Sequence, residues 1–264
     1  MDQNELIDRI TKEVLQRLNQ KPGMQEQKPQ SVPATPSAQM ITAHELAGYI
    51  DHTLLKPEAV VSQFEQVCNE AIKYKFKSVC VNSSWIPFVA KKLRGTGVKV
   101  CSVIGFPLGE MDTRSKAFEA RNAIGNGAEE LDMVINVGAL KSGNLKLVEE
   151  DIRAIKRACR SNTILKVILE TGLLTDEEKI VACEISRKAG ADFVKTSTGF
   201  AGSGATVHDI ALMRRIVGPT MGVKASGGIR TFDQAVAMIR AGASRIGCGA
   251  SVDVISGTES KSSY

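Results

Sequence analysis

Residues 3 to 18 place apolar side chains three and four positions apart, with charged side chains between them. The apolar positions are Leu6, Ile7, Ile10, Val14 and Leu18. This spacing is typical of one face of an amphipathic helix. The stretch that follows, to about residue 40, is rich in Pro, Gln and Ser, with too little apolar surface to fold and too many prolines for a helix. The pattern therefore predicts an amphipathic helix within residues 1–20 and a disordered linker over 21–40.

From about residue 41 the pattern changes to short β-branched runs that alternate with helical stretches. The chain has eight such runs: YIDHTLL, KSVCVN, VKVCSVIGF, EELDMVINV, TILKVILE, ADFVKTST, MGVKAS and SRIGCG. Strands buried on both faces and alternating with helices indicate a parallel sheet. Because no G-x-G-x-x-G follows the first strand, eight units favour a closed (β/α)8 TIM barrel of the α/β class over an open sheet. We expect the barrel over residues 41–255 and a mobile polar tail over 256–264.

Composition narrows the possible partners. The chain has 264 residues, 43% of them hydrophobic and 24% charged, which fits one main globular domain. The net charge of +5 comes without a run of basic residues, so we expect no nucleic-acid partner and favour a small anionic substrate. Neither a secretory signal nor an apolar run of membrane-spanning length is present, and the six scattered cysteines include no C-x-x-C pair. These features predict a cytoplasmic protein without a membrane partner.

Charged residues inside the strand runs are the candidates for chemistry, because functional residues of such barrels lie at the carboxyl ends of strands. They are Asp51, Asp132, Lys166, Glu170, Lys195 and Lys224. Lys195 and Lys224 end consecutive predicted strands, so we expect them close together, each disfavouring protonation of the other. The lowered pKa would make a nucleophilic amine. An ionic network of the lysines with Asp132 or Glu170 explains the pattern equally well.

Glycine-rich segments follow the last three predicted strands. They read TSTGFAGSGAT, ASGGIR and GCGAS. Loops at this end of a barrel can hold a phosphate through backbone N–H groups, whereas each glycine pair alone also suits an ordinary turn. Together they predict a phosphorylated substrate bound near Gly199, Gly227, Gly228, Gly247 and Gly249.

The histidines give no indication of a metal site. His44, His52 and His208 lie far apart in the sequence and form no ligand motif, so we expect neither a metal nor a cofactor. An imine on Lys195 would supply the electron sink instead. His52 follows Asp51 on a predicted strand and should face the opposite side, so a structural role is favoured over that of a base.

Four segments carry a resemblance to the deoxyribose-phosphate aldolases, a family of class I aldolases. They are IDHTLLKP, EELDMVINVGAL, VKTSTGF and GVKASGGIR, and the similarity runs from about Tyr49 to Ile255. The resemblance implies reversible cleavage of 2-deoxy-D-ribose 5-phosphate to D-glyceraldehyde 3-phosphate and acetaldehyde. Two rival hypotheses stay open: a Schiff-base aldolase for another phosphorylated aldehyde or ketose, and a catalytically silent barrel that serves as a scaffold.

The same resemblance implies a role for individual residues. Lys195 corresponds to the Schiff-base lysine, Lys224 to the second lysine that lowers its pKa, and Asp132 to an acid/base residue that acts through a water. Asp51 corresponds to the residue that meets a substrate hydroxyl, and Cys80 to an active-site cysteine. Tyr264 resembles a tail tyrosine that some members fold over the site.

The chain departs from many family members at the implied phosphate site. RIGCGAS places Gly249 and Ala250 where those members have serines, although Ser251 follows one residue later as a candidate phosphate ligand. Phe200 follows Gly199, where some members have a lysine. Loss of one or two hydroxyl hydrogen bonds should weaken phosphate binding by about 1 kcal/mol each.

The N-terminal helix and linker resemble the encapsulation peptides that direct enzymes into bacterial microcompartments. This implies a shell protein as partner of residues 1–20, with acetaldehyde confined by the shell. A helix used for self-association is the alternative. For the barrel we expect a homodimer, the commonest symmetric assembly.

Overall fold

The computed structural model describes residues 41–258. Eight parallel strands form a closed barrel in which each strand pairs with the next and β8 pairs with β1. The predicted TIM barrel is thus confirmed. The predicted N-terminal helix, the linker and Tyr264 lie outside the described residues.

The strands are short, and each precedes one or more helices. The strands are β1 (Ile50–Leu54), β2 (Ser78–Val81), β3 (Lys99–Ile104), β4 (Glu130–Val134), β5 (Ile164–Ile168), β6 (Phe193–Lys195), β7 (Gly222–Ser226) and β8 (Arg245–Cys248). The helices are α1 (Ala43–Ala47), α2 (Val61–Tyr74), α3 (Ile86–Leu93), α4 (Thr113–Gly125), α5 (Val137–Lys141), α6 (Leu145–Ala158), α7 (Asp176–Lys188), α8 (Val207–Val217), α9 (Phe232–Arg240) and α10 (Ser251–Ser256). Two 3-10 turns are Ser83–Trp85 and Thr171–Leu173.

A threonine caps the amino end of three helices that follow strands, α7, α8 and α9. Thr175 at the start of α7 accepts from the N–H of Glu178, whose carboxylate accepts from the N–H of Thr175 in return. Thr231 and Gln234 form the same reciprocal pair at α9. These caps satisfy backbone N–H groups that have no partner within the helix, so they fix where each loop ends.

Alternation along the strands separates two different environments. On β7, Val223 and Ala225 belong to the apolar core between barrel and helices, whereas Lys224 hydrogen-bonds to residues inside the barrel. Near the amino ends of the strands, a Cβ at Gly222 would come within 2.2 Å of the Phe193 ring. The charged interior residues extend along the strands, from Glu130 and Arg245 at the first positions of β4 and β8 to Lys195 at the last position of β6.

Within residues 41–258, no helix has both the length and the apolar character needed to cross a bilayer.

Candidate active site

Asp132 joins the two lysines predicted from the strand pattern. Lys195 Nζ on β6 and Lys224 Nζ on β7 lie 2.9 Å and 2.7 Å from the same Asp132 oxygen, Oδ2. All three residues are buried, and Lys195 is only 3% exposed. The two lysines are register partners on adjacent strands, which is why their side chains reach one carboxylate. The structure therefore brings together all three residues of the predicted reaction centre.

A second layer of charges supports Asp132. Lys166 Nζ donates to Asp132 Oδ1 at 2.9 Å and also pairs with Glu130. Arg245 donates to Glu130 and, at 2.8 Å, to Asp51. Buried charges in such a network stabilise one another only because each has a partner of opposite sign.

Asp51 lies within this network. Lys224 pairs with its Oδ2 atom, and the Ser78 hydroxyl donates to its Oδ1 atom at 2.6 Å. The carboxylate is fully buried. Its predicted contact with a substrate hydroxyl stays a prediction, since the neighbours seen here are Lys224, Ser78 and Arg245.

The charges of this network change the expected titration. Burial alone would raise the pKa of Asp132, but the lysines Lys166, Lys195 and Lys224 hold it well below its usual range. Burial alone would lower the pKa of Lys224, but the Asp132 and Asp51 carboxylates outweigh burial and raise it. The prediction that each lysine lowers the other's pKa is therefore wrong for Lys224, because it omitted two carboxylates from other strands.

Cys80 lies beside this centre with a second cysteine. Cys80 on β2 and Cys101 on β3 are register partners, and their sulfurs lie within 4.8 Å of each other and of an Asp132 oxygen. A hydrogen bond from the Cys101 thiol lowers the pKa of Cys80 even though burial raises it. Lys166 Nζ lies 3.5 Å from Cys101 Sγ. The positive charge next to Cys80, Cys101 and Asp132 is therefore supplied by this lysine. The expectation of no metal stays a prediction.

A cavity of about 470 Å³ opens at the carboxyl end of the barrel. It is lined by four of the predicted phosphate-binding glycines, Gly199, Gly227, Gly228 and Gly249, together with Ala250, Ser203 and Gly204. Lys56 and Arg230 add two cationic side chains to the same wall. Backbone N–H groups and cations around one cavity suit an anion.

Two loops of this cavity approach each other closely. A Cβ at Gly204 would lie 2.3 Å from the carbonyl oxygen of Gly227, and the Ala205 N–H donates to that oxygen at 3.0 Å. Gly227 and Gly228 have φ of 88° and 75°, which favours glycine at both positions. These glycines are therefore required by the shape of the cavity wall.

Two of the predicted phosphate contacts, Ser251 and Gly247, have close neighbours within the protein. The Ser251 hydroxyl is buried, donates to the Cys248 carbonyl oxygen and lies 2.8 Å from Nδ1 of His52, which lines the cavity. Gly247 lies within β8, where a Cβ would come within 2.9 Å of Lys224 Cε. Phosphate binding by Ser251 stays a prediction, and Gly247 makes room for Lys224.

His52 faces away from the barrel interior, as the strand pattern predicted. Its Nε2 atom lies 2.7 Å from the Glu70 carboxylate on α2. The ring thereby ties β1 to α2 and, through Ser251, to α10.

Glu170 does not join the lysines, so the ionic network that the pattern also allowed forms with Asp132 and not with Glu170. Its carboxylate accepts from the N–H and hydroxyl groups of Thr198, and its backbone has φ of 59°, which is uncommon for a residue with a side chain. This contact fixes the loop that leads from Lys195 to Gly199. Glu130, Arg245 and Cys101 were not predicted, although Glu130 precedes Asp132 by two residues and thus shares its face.

Comparison with known proteins identifies the family. The model of the DeoC/LacD family of aldolases matches residues 46–256. Over 216 residues the chain is 60% identical to a deoxyribose-phosphate aldolase of Streptococcus gordonii, covering 82% of this chain and 98% of that protein. It is 59% identical to the Brevibacillus brevis protein of the same name, covering 81% and 97%. A tetrameric deoxyribose-phosphate aldolase from Aeropyrum pernix superposes with a TM-score of 0.76 at 36% identity, covering 84% and 97%.

Proposed function

The chain belongs to the DeoC/LacD family of aldolases, and we propose that it is a deoxyribose-phosphate aldolase that works through a Schiff base on Lys195. It cleaves 2-deoxy-D-ribose 5-phosphate reversibly to D-glyceraldehyde 3-phosphate and acetaldehyde. The names of its relatives support the substrate. The observation that carries the mechanism is the pair of lysines on one oxygen of Asp132.

Charge balance favours Lys195 as the nucleophile. The barrel interior holds four cationic side chains, on Lys166, Lys195, Lys224 and Arg245, against the three carboxylates of Asp51, Glu130 and Asp132. If one amine is neutral, cations and carboxylates are equal in number. Lys224 contacts two carboxylates whereas Lys195 contacts only Asp132, so a neutral amine at Lys195 removes only one ion pair.

Imine formation begins at C1 of the open-chain sugar. The neutral Lys195 amine adds to the C1 carbonyl, and after proton transfers the C1 oxygen leaves as water. Asp132 lies 2.9 Å from Lys195 Nζ and is therefore placed to accept and return the protons that move at that nitrogen. The product is an imine that bears a positive charge when protonated.

Cleavage breaks the bond between C2 and C3. A base removes the proton of the C3 hydroxyl, C3 becomes the aldehyde carbon of D-glyceraldehyde 3-phosphate, and the bonding electrons move to the imine nitrogen. The enamine that remains takes a proton at C2 and is hydrolysed to acetaldehyde and free Lys195. Asp132 serves as this base and Lys224 holds it ionised, since the lysines lower the pKa of Asp132.

The glycine-lined cavity binds the phosphate in this proposal. The backbone N–H groups near Gly227 and Gly228 and the side chains of Lys56 and Arg230 favour a dianion. Lys195 and Lys224 precede these loops by only a few residues, which supports a single substrate that extends from the amine to the cavity.

Reductive trapping tests the mechanism. Acetaldehyde and borohydride should convert Lys195 to an N-ethyl lysine, found by mass analysis of the labelled peptide. Lys195→Ala should abolish both label and cleavage. Label on another lysine would overturn the mechanism. If Lys195 is labelled but a different phosphorylated sugar is cleaved, the proposed mechanism stands and the proposed substrate is wrong.

We also propose that residues 1–20 direct the enzyme into a bacterial microcompartment within the cytoplasm by binding a shell protein. The amphipathic pattern supports this, as does the start of the family match at residue 46. A fusion of residues 1–20 to a fluorescent protein should form foci in cells that make shells, whereas diffuse fluorescence would count against targeting. Exchange of Leu6 and Ile10 for Glu is the matched control, because it removes the apolar face.

For the barrel we propose a homodimer as the assembly. This rests on the general frequency of symmetric dimers. Sedimentation of the full chain over a range of concentrations tests it, and a monomer or tetramer would contradict it.

A further inference from the structure

Ser226, the last residue of β7, carries a buried hydroxyl without a hydrogen-bond partner among residues 41–258. Its side chain is 1% exposed. Two other buried serines are satisfied: Ser78 donates to Asp51, and Ser186 donates to the Ala182 carbonyl oxygen. A buried hydroxyl without a partner is unfavourable unless a bound molecule supplies one. Ser226 is therefore a candidate ligand contact.

Ser226 stands in the sequence between Lys224 of the reaction centre and Gly227 and Gly228 of the phosphate cavity. It is two residues beyond Lys224 on the same strand and faces the same side. Gly247 is its register partner on β8, where a Cβ would meet Ser226 Oγ at 2.3 Å and Lys224 Cε at 2.9 Å. The next two residues, Gly227 and Gly228, line the cavity.

Thr196 holds the backbone of Ser226 from both sides. Its hydroxyl donates to the Ser226 carbonyl oxygen at 3.0 Å and accepts from the Ser226 N–H at 3.0 Å. The Cα of Ser226 is thus fixed, and its hydroxyl is left free to rotate toward a ligand. A fixed donor of this kind contributes to specificity because its orientation is already set.

We propose that the Ser226 hydroxyl binds the C4 hydroxyl of the sugar phosphate, which is the 2-hydroxyl of glyceraldehyde 3-phosphate in the reverse reaction. This rests on the proposed function. With C1 on Lys195 and the phosphate in the glycine-lined cavity, C4 is the carbon between the bond that breaks and the carbon that bears the phosphate. The C3 oxygen faces the base, so the C4 hydroxyl is the group available to Ser226.

Ser197 is the competing candidate. It follows Lys195 by two residues as Ser226 follows Lys224, and its buried hydroxyl also has no partner among the described residues. Its nearest cavity residue is Gly227, at which a Cβ would lie 3.5 Å from Ser197 Cβ. Ser226 is favoured because its hydroxyl is the one placed beside the Lys224 side chain.

The test measures condensation of acetaldehyde with two acceptors, glyceraldehyde 3-phosphate and 3-oxopropyl phosphate, which lacks the 2-hydroxyl. In Ser226→Ala, kcat/KM for the hydroxylated acceptor should fall roughly 2- to 10-fold, the effect of one ordinary hydrogen bond, while kcat/KM for the other acceptor stays within twofold. Ser226→Cys keeps a side chain of similar volume but replaces the hydroxyl with a thiol, which is a weak hydrogen-bond donor. Its kcat/KM values should therefore resemble those of Ser226→Ala. Ser186→Ala, a buried serine of α7, should leave the ratio unchanged.

Two outcomes would overturn the proposal. Equal losses for both acceptors would make Ser226 a structural residue only, and a loss of discrimination in Ser197→Ala but not in Ser226→Ala would transfer the contact to Ser197. Borohydride trapping of acetaldehyde in every variant is the separate readout. Trapping at Lys195 in wild type and Ser226→Ala shows the Schiff base intact, whereas its absence from wild type means that the proposed function has failed.

Discussion

Lys195 and Lys224 lie directly opposite each other in the register of β6 and β7, and both donate to one oxygen of Asp132. The carboxylate separates two positive charges that would otherwise repel at close range. It also makes them unequal, since Lys224 has a second carboxylate partner in Asp51. The two lysines therefore differ in their ionic partners, and the proposed division of roles between them rests on this difference.

Replacement of Lys224 by Met should separate these two roles. The variant lacks the positive charge of Lys224, which helps to keep Asp132 ionised during C–C cleavage. We therefore expect kcat to fall at least about 100-fold, as for loss of acid/base catalysis. Lys195 would remain, so acetaldehyde should still be trapped there. Lys99→Met, which removes a surface ion pair with Glu129, is the control. Unchanged kcat in Lys224→Met would contradict the assignment.

Asp132→Asn should destabilise the barrel in a pH-dependent way. At pH 7 the loss should be about 3 kcal/mol, because Lys166, Lys195 and Lys224 lose a shared buried partner. The folded state depresses the pKa of Asp132, so the unfolded chain binds the proton first as the pH falls. The contribution is therefore complete above about pH 5 and shrinks only below about pH 4.

Urea unfolding of wild type and Asp132→Asn at pH 7, 5 and 3 measures this difference. It should be equal at pH 7 and pH 5 and smaller at pH 3. A difference that stays the same at pH 3 as at pH 7 would show that the pKa of Asp132 is not depressed in the folded state. Glu58→Gln, at an exposed loop position, controls for the loss of one negative charge.

The sequence allowed the barrel and its lysines to be predicted, because buried strands leave a clear pattern and charged residues within them are conspicuous. The direction of the Lys224 pKa could not be predicted, since it depends on Asp51 and Asp132 from strands far away in the chain. The contact of Ser251 with His52 joins residues 199 positions apart, which no local pattern reveals. Register between strands, rather than spacing within them, decides these features.

The length of β6 was also not predicted correctly from the sequence. The run ADFVKTST predicted eight strand residues, but β6 covers only Phe193–Lys195. The strand ends early because Thr198 bonds to Glu170 and turns the chain into the cavity loop. Polar residues in a β-branched run can thus mark a site instead of a longer strand.

Ala250→Ser should strengthen phosphate binding. Ala250 lines the cavity and already carries a Cβ, so the added hydroxyl needs little new space. One hydrogen bond of about 1 kcal/mol corresponds to a KM about fivefold lower for the phosphorylated sugar. Gly249→Ser is a less clean variant, because its Cβ would lie 3.2 Å from the Thr53 carbonyl oxygen. An unchanged or higher KM in Ala250→Ser would contradict the prediction that the phosphate cavity lacks a hydroxyl at this position.

Gly204→Ala should damage the phosphate cavity without affecting the reactive lysine. The new methyl group would lie 2.3 Å from the Gly227 carbonyl oxygen, and both sides of that contact are backbone, so the two loops must separate. Overpacking of this kind costs about 1–3 kcal/mol and would misplace the N–H groups of Gly227 and Gly228. We expect KM for the phosphorylated sugar to rise about tenfold, while acetaldehyde trapping at Lys195 is unchanged. Gly125→Ala is the matched control, because a Cβ at this position of α4 would meet nothing within 4 Å. If both variants left KM unchanged, the close approach of Gly204 to Gly227 would have no part in binding the phosphate.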